Sequence, residues 1–124
     1  MAQSKEVYKC EICGNIIEVL HGGTGKPVCC GKEMILQVEN TVEASKEKHI
    51  PVVEKGAGKV TIKVGSAEHP MDPDHYIEWV ELVTETGVLI AFLAPGGKPD
   101  AVFEGNFGAV SARAYCNKHG LWKS

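Results

Sequence analysis

The sequence predicts a mainly β protein with two parts: a small metal-stapled N-terminal domain, residues 1–37, and a larger domain, residues 38–124. Four of the five cysteines lie within the first thirty residues, while short stretches with apolar and polar residues in alternation appear only after residue 50. Some 37 residues are too few to build a sufficient hydrophobic core, so the first part needs a staple such as a metal ion. The second part is long enough for an ordinary domain.

The first domain contains one clear strand candidate, "NIIEVL" at 15–20, which leads into the glycine-rich turn "HGGTGKP" between two cysteine pairs. A polar connector, 39–51, then separates the two domains. Its sequence lacks the apolar periodicity of a long helix.

The second domain is predicted to be an antiparallel sandwich or barrel, because short strands alternate with proline- and glycine-rich turns. "KVTIKV" (59–64) places Val60, Ile62 and Val64 on one face, and "AVSARAY" (109–115) alternates in the same way. "VLIAFL" (88–93) ends at the turn cluster "APGGKPD". "YIEWVELV" (76–83) is rich in β-formers, although the spacing of Glu78 and Glu81 leaves a helix open.

Composition excludes several classes of function. The formal net charge of −3 provides no bulk attraction for nucleic acid or an anionic membrane. No stretch approaches the roughly 20 apolar residues of a membrane span, and the N-terminus does not resemble a signal peptide. The expected compartment is the cytoplasm, where thiols stay reduced and cysteines serve as metal ligands more often than as disulfides.

Cys10, Cys13, Cys29 and Cys30 supply four thiolates for one tetrahedral site. The Cys29–Cys30 pair is adjacent, unlike the second C-x-x-C of a zinc ribbon, so we expect a distorted tetrahedron. Zinc as a pure staple and a single redox iron both remain open, since sites of four sulfurs accept either metal. A disulfide framework fits a reducing compartment less well.

A second ligand set combines four histidines with the remaining cysteine. His69 and His75 flank one turn, "HPMDPDH", and Cys116 and His119 have i, i+3 spacing near a strand end. His49 precedes Pro51, where the chain is biased towards extended structure. Any one of these histidines alone is typical of a surface or core residue, and His21 is interpreted that way. Together, four imidazoles and one thiolate exceed the four ligands of structural zinc and favour iron, with Cys116 axial and the opposite position open.

The motifs "VYKCEICGNIIEVLHGG", "VCCGKEM", "EKHIPVVEK", "HPMDPDHYIEWVEL", "FLAPG" and "AYCNKHGLW" resemble, in that order, those of the desulfoferrodoxin family of two-iron superoxide reductases. The resemblance implies a desulforedoxin-like N-terminal domain with a rubredoxin-like Fe(Cys)4 centre. It also implies an immunoglobulin-like antiparallel β-sandwich that holds an Fe(His)4Cys centre. Zinc is possible in the four-cysteine site of recombinant protein.

The implied activity is the one-electron reduction of superoxide to hydrogen peroxide, in oxygen detoxification. The resemblance places two further site residues before the first histidine: Lys48, which would attract the anionic substrate, and Glu47, which would occupy the open position in oxidised protein. It also implies a rubredoxin-like electron donor and a homodimer. The main alternative is a non-catalytic iron electron-transfer protein; superoxide dismutation and a zinc-stapled binding module are further rivals.

Two local departures distinguish this chain from the family pattern. Leu121 stands where relatives often have a second histidine, which removes a competing ligand and favours His119. Ala94 replaces a common lysine before the proline-glycine turn, so we expect a weaker positive field around the pocket.

Overall fold

The computed structural model describes residues 2–42 and 49–124, which form twelve short β-strands and no helix. Within this described part, no helix is therefore long and apolar enough to cross a membrane. The chain divides into two compact units, Met1–Val38 and Glu39–Ser124. The prediction of a mainly β protein is confirmed.

The first unit contains five very short strands around a small core. β1, β2 and β5 form one antiparallel sheet in the order β2-β1-β5, and β3 and β4 form a separate hairpin. The predicted strand at 15–20 is present as β2, although it is only three residues long. The core consists of Ala2, Tyr8, Cys10 and Met34. The strands are β1 Val7–Lys9, β2 Ile16–Glu18, β3 Val28–Cys29, β4 Lys32–Glu33 and β5 Ile35–Leu36.

The second unit is an antiparallel sandwich of a three-stranded sheet, β10-β7-β6, and a four-stranded sheet, β12-β11-β8-β9. Both sheets contribute side chains to one buried apolar cluster, which includes Ile62 and Val64 of β7, Leu82 of β8 and Ala114 of β11. The strands are β6 Pro51–Gly56, β7 Lys59–Val64, β8 Ile77–Val83, β9 Val88–Phe92, β10 Asp100–Glu104, β11 Ser111–Cys116 and β12 Gly120–Lys123.

The alternation predicted for β7 and β11 is confirmed on the core side: Val60, Ile62 and Val64 are buried, as are Ala112 and Ala114. The segment for which a helix remained open is β8, a central strand that pairs with both β11 and β9. A helix there would lose the backbone hydrogen bonds to both neighbouring strands, so the tertiary pairing decides the local structure.

The face of β11 that points away from the core is also buried. Arg113 donates from Nε (3.1 Å) and Nη2 (2.7 Å) to Oε1 of Glu81 on β8, and from Nη1 to Oε2 of Glu39 (3.1 Å). Trp79 donates from its indole nitrogen to the other oxygen of Glu81 (2.9 Å) and stacks on Tyr115. The buried carboxylate is thus both paired and hydrogen-bonded, as a buried charge has to be.

Candidate metal centres

Five predicted ligands converge at one end of the sandwich. His49, His69, His75, Cys116 and His119 each offer one ligand atom, and these atoms all lie within 4.8 Å of one another. Cys116 is fully buried and His49 and His69 are nearly so, while His75 is half-buried and His119 is exposed. The site is therefore closed on the thiolate side and reaches the surface at His75 and His119.

The four imidazole rings form a closed cycle in which each ring meets two neighbours edge-on. His49 lies 4.7 Å from both His69 and His119, measured between ring centroids. His75 lies 4.9 Å from His69 and 5.0 Å from His119. This cycle is the arrangement expected of four equatorial ligands, with His49 opposite His75 and His69 opposite His119.

The ligand atoms can be assigned from their contacts. His49 Nε2 lies 3.0 Å from His119 Nδ1, which is the spacing that metal–nitrogen bonds of about 2.1 Å give between neighbouring corners of a coordination site. Cys116 Sγ lies 3.7 Å from the same His119 nitrogen. The Nδ1–H of His69 donates to the carbonyl of Pro70 at 2.7 Å, which leaves its buried Nε2 to bind a metal.

Cys116 and His119 owe their positions to the end of β11 and a tight turn. Tyr115 pairs with Trp79, but Cys116 pairs with Ile77, so Glu78 is an extra residue on β8 that forms a β-bulge beside the thiol. The chain then reverses, and Cys116 pairs with Gly120, which has a φ of +84°. Glycine is favoured there because other residues rarely adopt this left-handed conformation.

Trp122 and Asn117 support the site of the four histidines and Cys116, and they were not singled out from the sequence. Trp122 stacks on His49, and its indole nitrogen donates to the carbonyl of His119 at 3.1 Å. Asn117 bridges to the residues on either side of His75. Trp122 and Asn117 lie in the same "AYCNKHGLW" motif as two ligands, which is the sequence signal that could have drawn attention to them.

The four N-terminal cysteines form a second cluster whose ligand atoms also lie within 4.8 Å of one another. Cys13 Sγ lies 3.6 Å from Cys29 Sγ, which lies 3.9 Å from Cys30 Sγ. Cys30 has a φ of +54°, rare for a residue with a side chain, and this local strain lets two adjacent cysteines serve one site.

The thiols of the N-terminal cluster have strongly separated acidities. The backbone N–H of Cys13 donates to Cys10 Sγ and is the largest cause lowering the pKa of Cys10 to about 6. Hydrogen bonds with Cys13 and then Cys10 raise the pKa of Cys29 to about 12. Because metals bind thiolates, loading this site must release protons, that of Cys29 in particular.

Three further predictions concern Glu47, Lys48 and His21. Glu47 and Lys48 lie outside the described residues. His21 belongs to neither cluster, in agreement with its interpretation as an ordinary surface residue, and it is exposed.

Comparison with known proteins agrees with this pair of sites. The sequence model of the family described as "Desulfoferrodoxin" matches residues 41–124, and that of "Desulfoferrodoxin, N-terminal domain" matches residues 2–37. The chain belongs to the desulfoferrodoxin family. The four-cysteine cluster and the cluster of four histidines and one cysteine match the two iron centres of this family, and their thiolate and imidazole donors suit iron.

Individual relatives cover one or both units. The desulfoferrodoxin of Syntrophotalea carbinolica is 55% identical over 124 residues, which is 100% of this chain and 98% of the relative. The desulforedoxin of Megalodesulfovibrio gigas is 51% identical over 37 residues, 30% of this chain and all of the relative. The crystal structure of the superoxide reductase from Treponema pallidum is 30% identical, covers 99% of both chains and superposes with a TM-score of 0.83. The predicted desulforedoxin-like domain and β-sandwich are thereby confirmed.

Proposed function

We propose that this chain is a superoxide reductase, in which one superoxide takes up one electron and two protons to give one hydrogen peroxide. The observation that carries the proposal is the cycle of four imidazoles beside the fully buried sulfur of Cys116. Iron held by this donor set would supply the electron, and the thiolate of Cys116 would increase the electron density available for it. The Treponema pallidum relative is itself a superoxide reductase.

The proposed ligands of the reactive iron are His49, His69, His75 and His119 through imidazole nitrogens and Cys116 through its thiolate. Cys116 lies on the closed side of the site, whereas His75 and His119 reach the surface. Superoxide would therefore approach from the side of these two histidines, which reaches the surface. The other iron would be held by the four thiolates of Cys10, Cys13, Cys29 and Cys30.

Lys48 and Glu47 are proposed as the site residues that act on substrate entry and on the oxidised protein. Their support is the sequence "EKH", which places both immediately before the ligand His49. A lysine beside an open site raises the local concentration of an anionic substrate. Once the iron is oxidised, the carboxylate of Glu47 would bind where superoxide reacts, and so limit the binding of other anions.

The electron donor, the oligomeric state, the compartment and the domain bounds form a separate part of the proposal. A rubredoxin-like donor returns the electron, the chain forms a homodimer, and the protein works in the cytoplasm, where its thiols stay reduced. The proposed domains are residues 1–37 and 38–124, a division supported by the compact units Met1–Val38 and Glu39–Ser124.

The products of the reaction test the proposal. Superoxide is generated steadily in the presence of protein and an excess of electron donor, and peroxide and oxygen are both measured against a blank with metal-free protein. A reductase forms one peroxide per superoxide and no oxygen from it. A dismutase forms one peroxide and one oxygen from two superoxides, and a mere electron carrier matches the blank; either result contradicts the proposal.

A further inference from the structure

Asn117 links the turn that carries Cys116 and His119 to both residues that flank His75. Its side-chain Nδ2 donates to the carbonyl of Asp74 at 3.0 Å, and its Oδ1 accepts from the backbone N–H of Tyr76 at 2.9 Å. Its own backbone N–H donates to the carbonyl of Tyr76 at 3.2 Å. Three hydrogen bonds from one residue thus fix the chain immediately before and after one ligand.

These bonds begin where the pairing of the strands ends. The register of β8 with β11 stops at Ile77 opposite Cys116. Beyond that point His75 lies on a turn closed by its own reciprocal backbone bonds with Asp72, at 3.0 and 3.1 Å. The side-chain amide of Asn117 continues the link beyond the ladder, since it offers a donor to Asp74 and an acceptor to Tyr76 on the same segment.

The position of His75 needs such a link more than those of the two buried histidines, His49 and His69. His49 and His69 are buried by the surrounding structure, whereas His75 is only half-buried and its ring makes the two longest contacts of the cycle, 4.9 and 5.0 Å. We infer that Asn117 is a positioning residue that fixes His75 relative to Cys116, and thereby governs iron retention and the thiolate–iron interaction. The inference rests on the five-ligand site of the proposed function.

A second contact joins the same two turns and provides a matched control. Lys118 Nζ lies 4.0 Å from the carboxylate of Asp74, and both side chains are exposed, at 51% and 83%. Exposed ion pairs at this distance contribute little because water screens them. If the link depends on the amide of Asn117, removing the charge of Lys118 leaves the site unchanged.

The test is the release of iron from the complete two-iron protein into excess chelator, followed through the absorption of the Fe(His)4Cys centre. Loss of a group that orients a metal ligand typically costs about 10–100-fold in affinity, so we expect Asn117→Ala to release this iron at least about tenfold faster. Lys118→Ala should keep the wild-type rate. The Fe(Cys)4 centre, whose ligands are separate, serves as the internal reference in each sample.

Thr84→Ala controls for a general loss of hydrogen bonds. Thr84 Oγ1 accepts from the backbone N–H groups of Thr86 and Gly87 and donates to the carbonyl of Gly87, at 3.0 to 3.3 Å, in the β8–β9 turn. Its loss should lower stability without changing the absorption of either centre. Asn117→Ala should additionally shift the thiolate-to-iron absorption band, which a purely structural role would leave in place.

Asn117→Asp keeps the test decisive if Asn117→Ala does not fold. The carboxylate retains the acceptor for Tyr76 N–H but cannot donate to Asp74, so its iron release should still exceed that of Lys118→Ala. Release rates and an absorption band equal to those of Thr84→Ala would overturn the inference. A wild-type protein that retains iron normally but does not reduce superoxide would instead contradict the proposed function alone.

Discussion

The indole ring of Trp122 stacks on the imidazole of His49, with ring centroids 4.6 Å apart and ring planes inclined by 16°. The same indole donates its N–H to the carbonyl of His119. One side chain on β12 therefore supports two ligands, His49 and His119. Trp122 is nearly buried, at 7% exposure. It closes one side of the site against water as well as orienting His49.

Replacing Trp122 separates these two contributions. Trp122→Phe keeps a ring over His49 and loses the hydrogen bond, which should cost about 1 kcal/mol in the free energy of unfolding. Trp122→Leu also loses the aromatic contact, worth about 0.5–1.5 kcal/mol beyond its buried area. Denaturant unfolding of both variants measures the difference. Equal stability of the two would show that the stacking contributes nothing.

Cys116→Ser should remove the thiolate-to-iron absorption band of the Fe(His)4Cys centre and change its reduction potential, because sulfur supplies the electron density. Cys13→Ser is the matched control, since it removes one sulfur from the other cluster. That variant should lose the Fe(Cys)4 centre while superoxide reduction stays largely intact. Visible spectra and metal analysis check both. An unchanged spectrum of the Fe(His)4Cys centre in Cys116→Ser, or loss of both irons in Cys13→Ser, would contradict the assignment of ligands.

The buried pair of Arg113 and Glu81 should matter for stability rather than for chemistry. Arg113→Leu leaves the fully buried carboxylate of Glu81 without its main partner, which typically costs about 3–5 kcal/mol. The double variant Glu81→Leu, Arg113→Leu should be less destabilised than Arg113→Leu alone, because no buried charge remains. Chemical denaturation of the three proteins tests this. A double variant less stable than Arg113→Leu would contradict this account, because the unpaired carboxylate would then not be what destabilises Arg113→Leu.

Lys48 and Glu47 are neighbours with different expected effects on the kinetics. Lys48→Ile should slow the second-order reaction with superoxide and flatten its dependence on salt, because the attraction of an anion is screened by ions. Lys46→Ile, in the same connector, is the matched control and should have a smaller effect. Stopped-flow rates across a range of ionic strength compare them. A wild-type rate and salt slope in Lys48→Ile would remove the steering role.

Glu47→Ala should act only on the oxidised protein. We expect its oxidised spectrum to change and azide or cyanide to bind more readily, while the initial rate with superoxide stays near that of the wild type. Anion titrations followed by absorbance provide the measurement. Oxidised Glu47→Ala that resembles the wild type in spectrum and azide affinity would leave Glu47 without a role at the site.

The sequence was informative where a pattern is local. Val60, Ile62 and Val64 alternate over a whole strand, so β7 and its buried face were predictable. The ligands were predictable because cysteine and histidine are rare, and their spacing matched that of a known family. The helix alternative for β8 also has a local cause: Glu78 and Glu81 are three residues apart, a spacing typical of a helix, but Glu78 is the bulge residue and stands outside the alternation of the strand.

Other features depend on contacts between distant residues and could not be predicted. Asn117 meets Tyr76 across 41 positions of the chain, and Arg113 meets Glu81 across 32. Alternation alone assigns Arg113 to a solvent-facing side, whereas the paired carboxylate allows it to be buried. β12 is only four residues long and contains no sustained pattern; its pairing with β11 makes it a strand.

The most direct test of the central claim is rapid mixing of the fully reduced two-iron protein with superoxide, followed through the absorbance of the Fe(His)4Cys centre. We predict a second-order oxidation of this iron, first order in superoxide, with one equivalent of peroxide formed per iron oxidised. Oxidation of this centre no faster than in the same reduced protein without superoxide, or oxidation confined to the Fe(Cys)4 centre, would contradict the claim that the four histidines and Cys116 form a superoxide-reducing site.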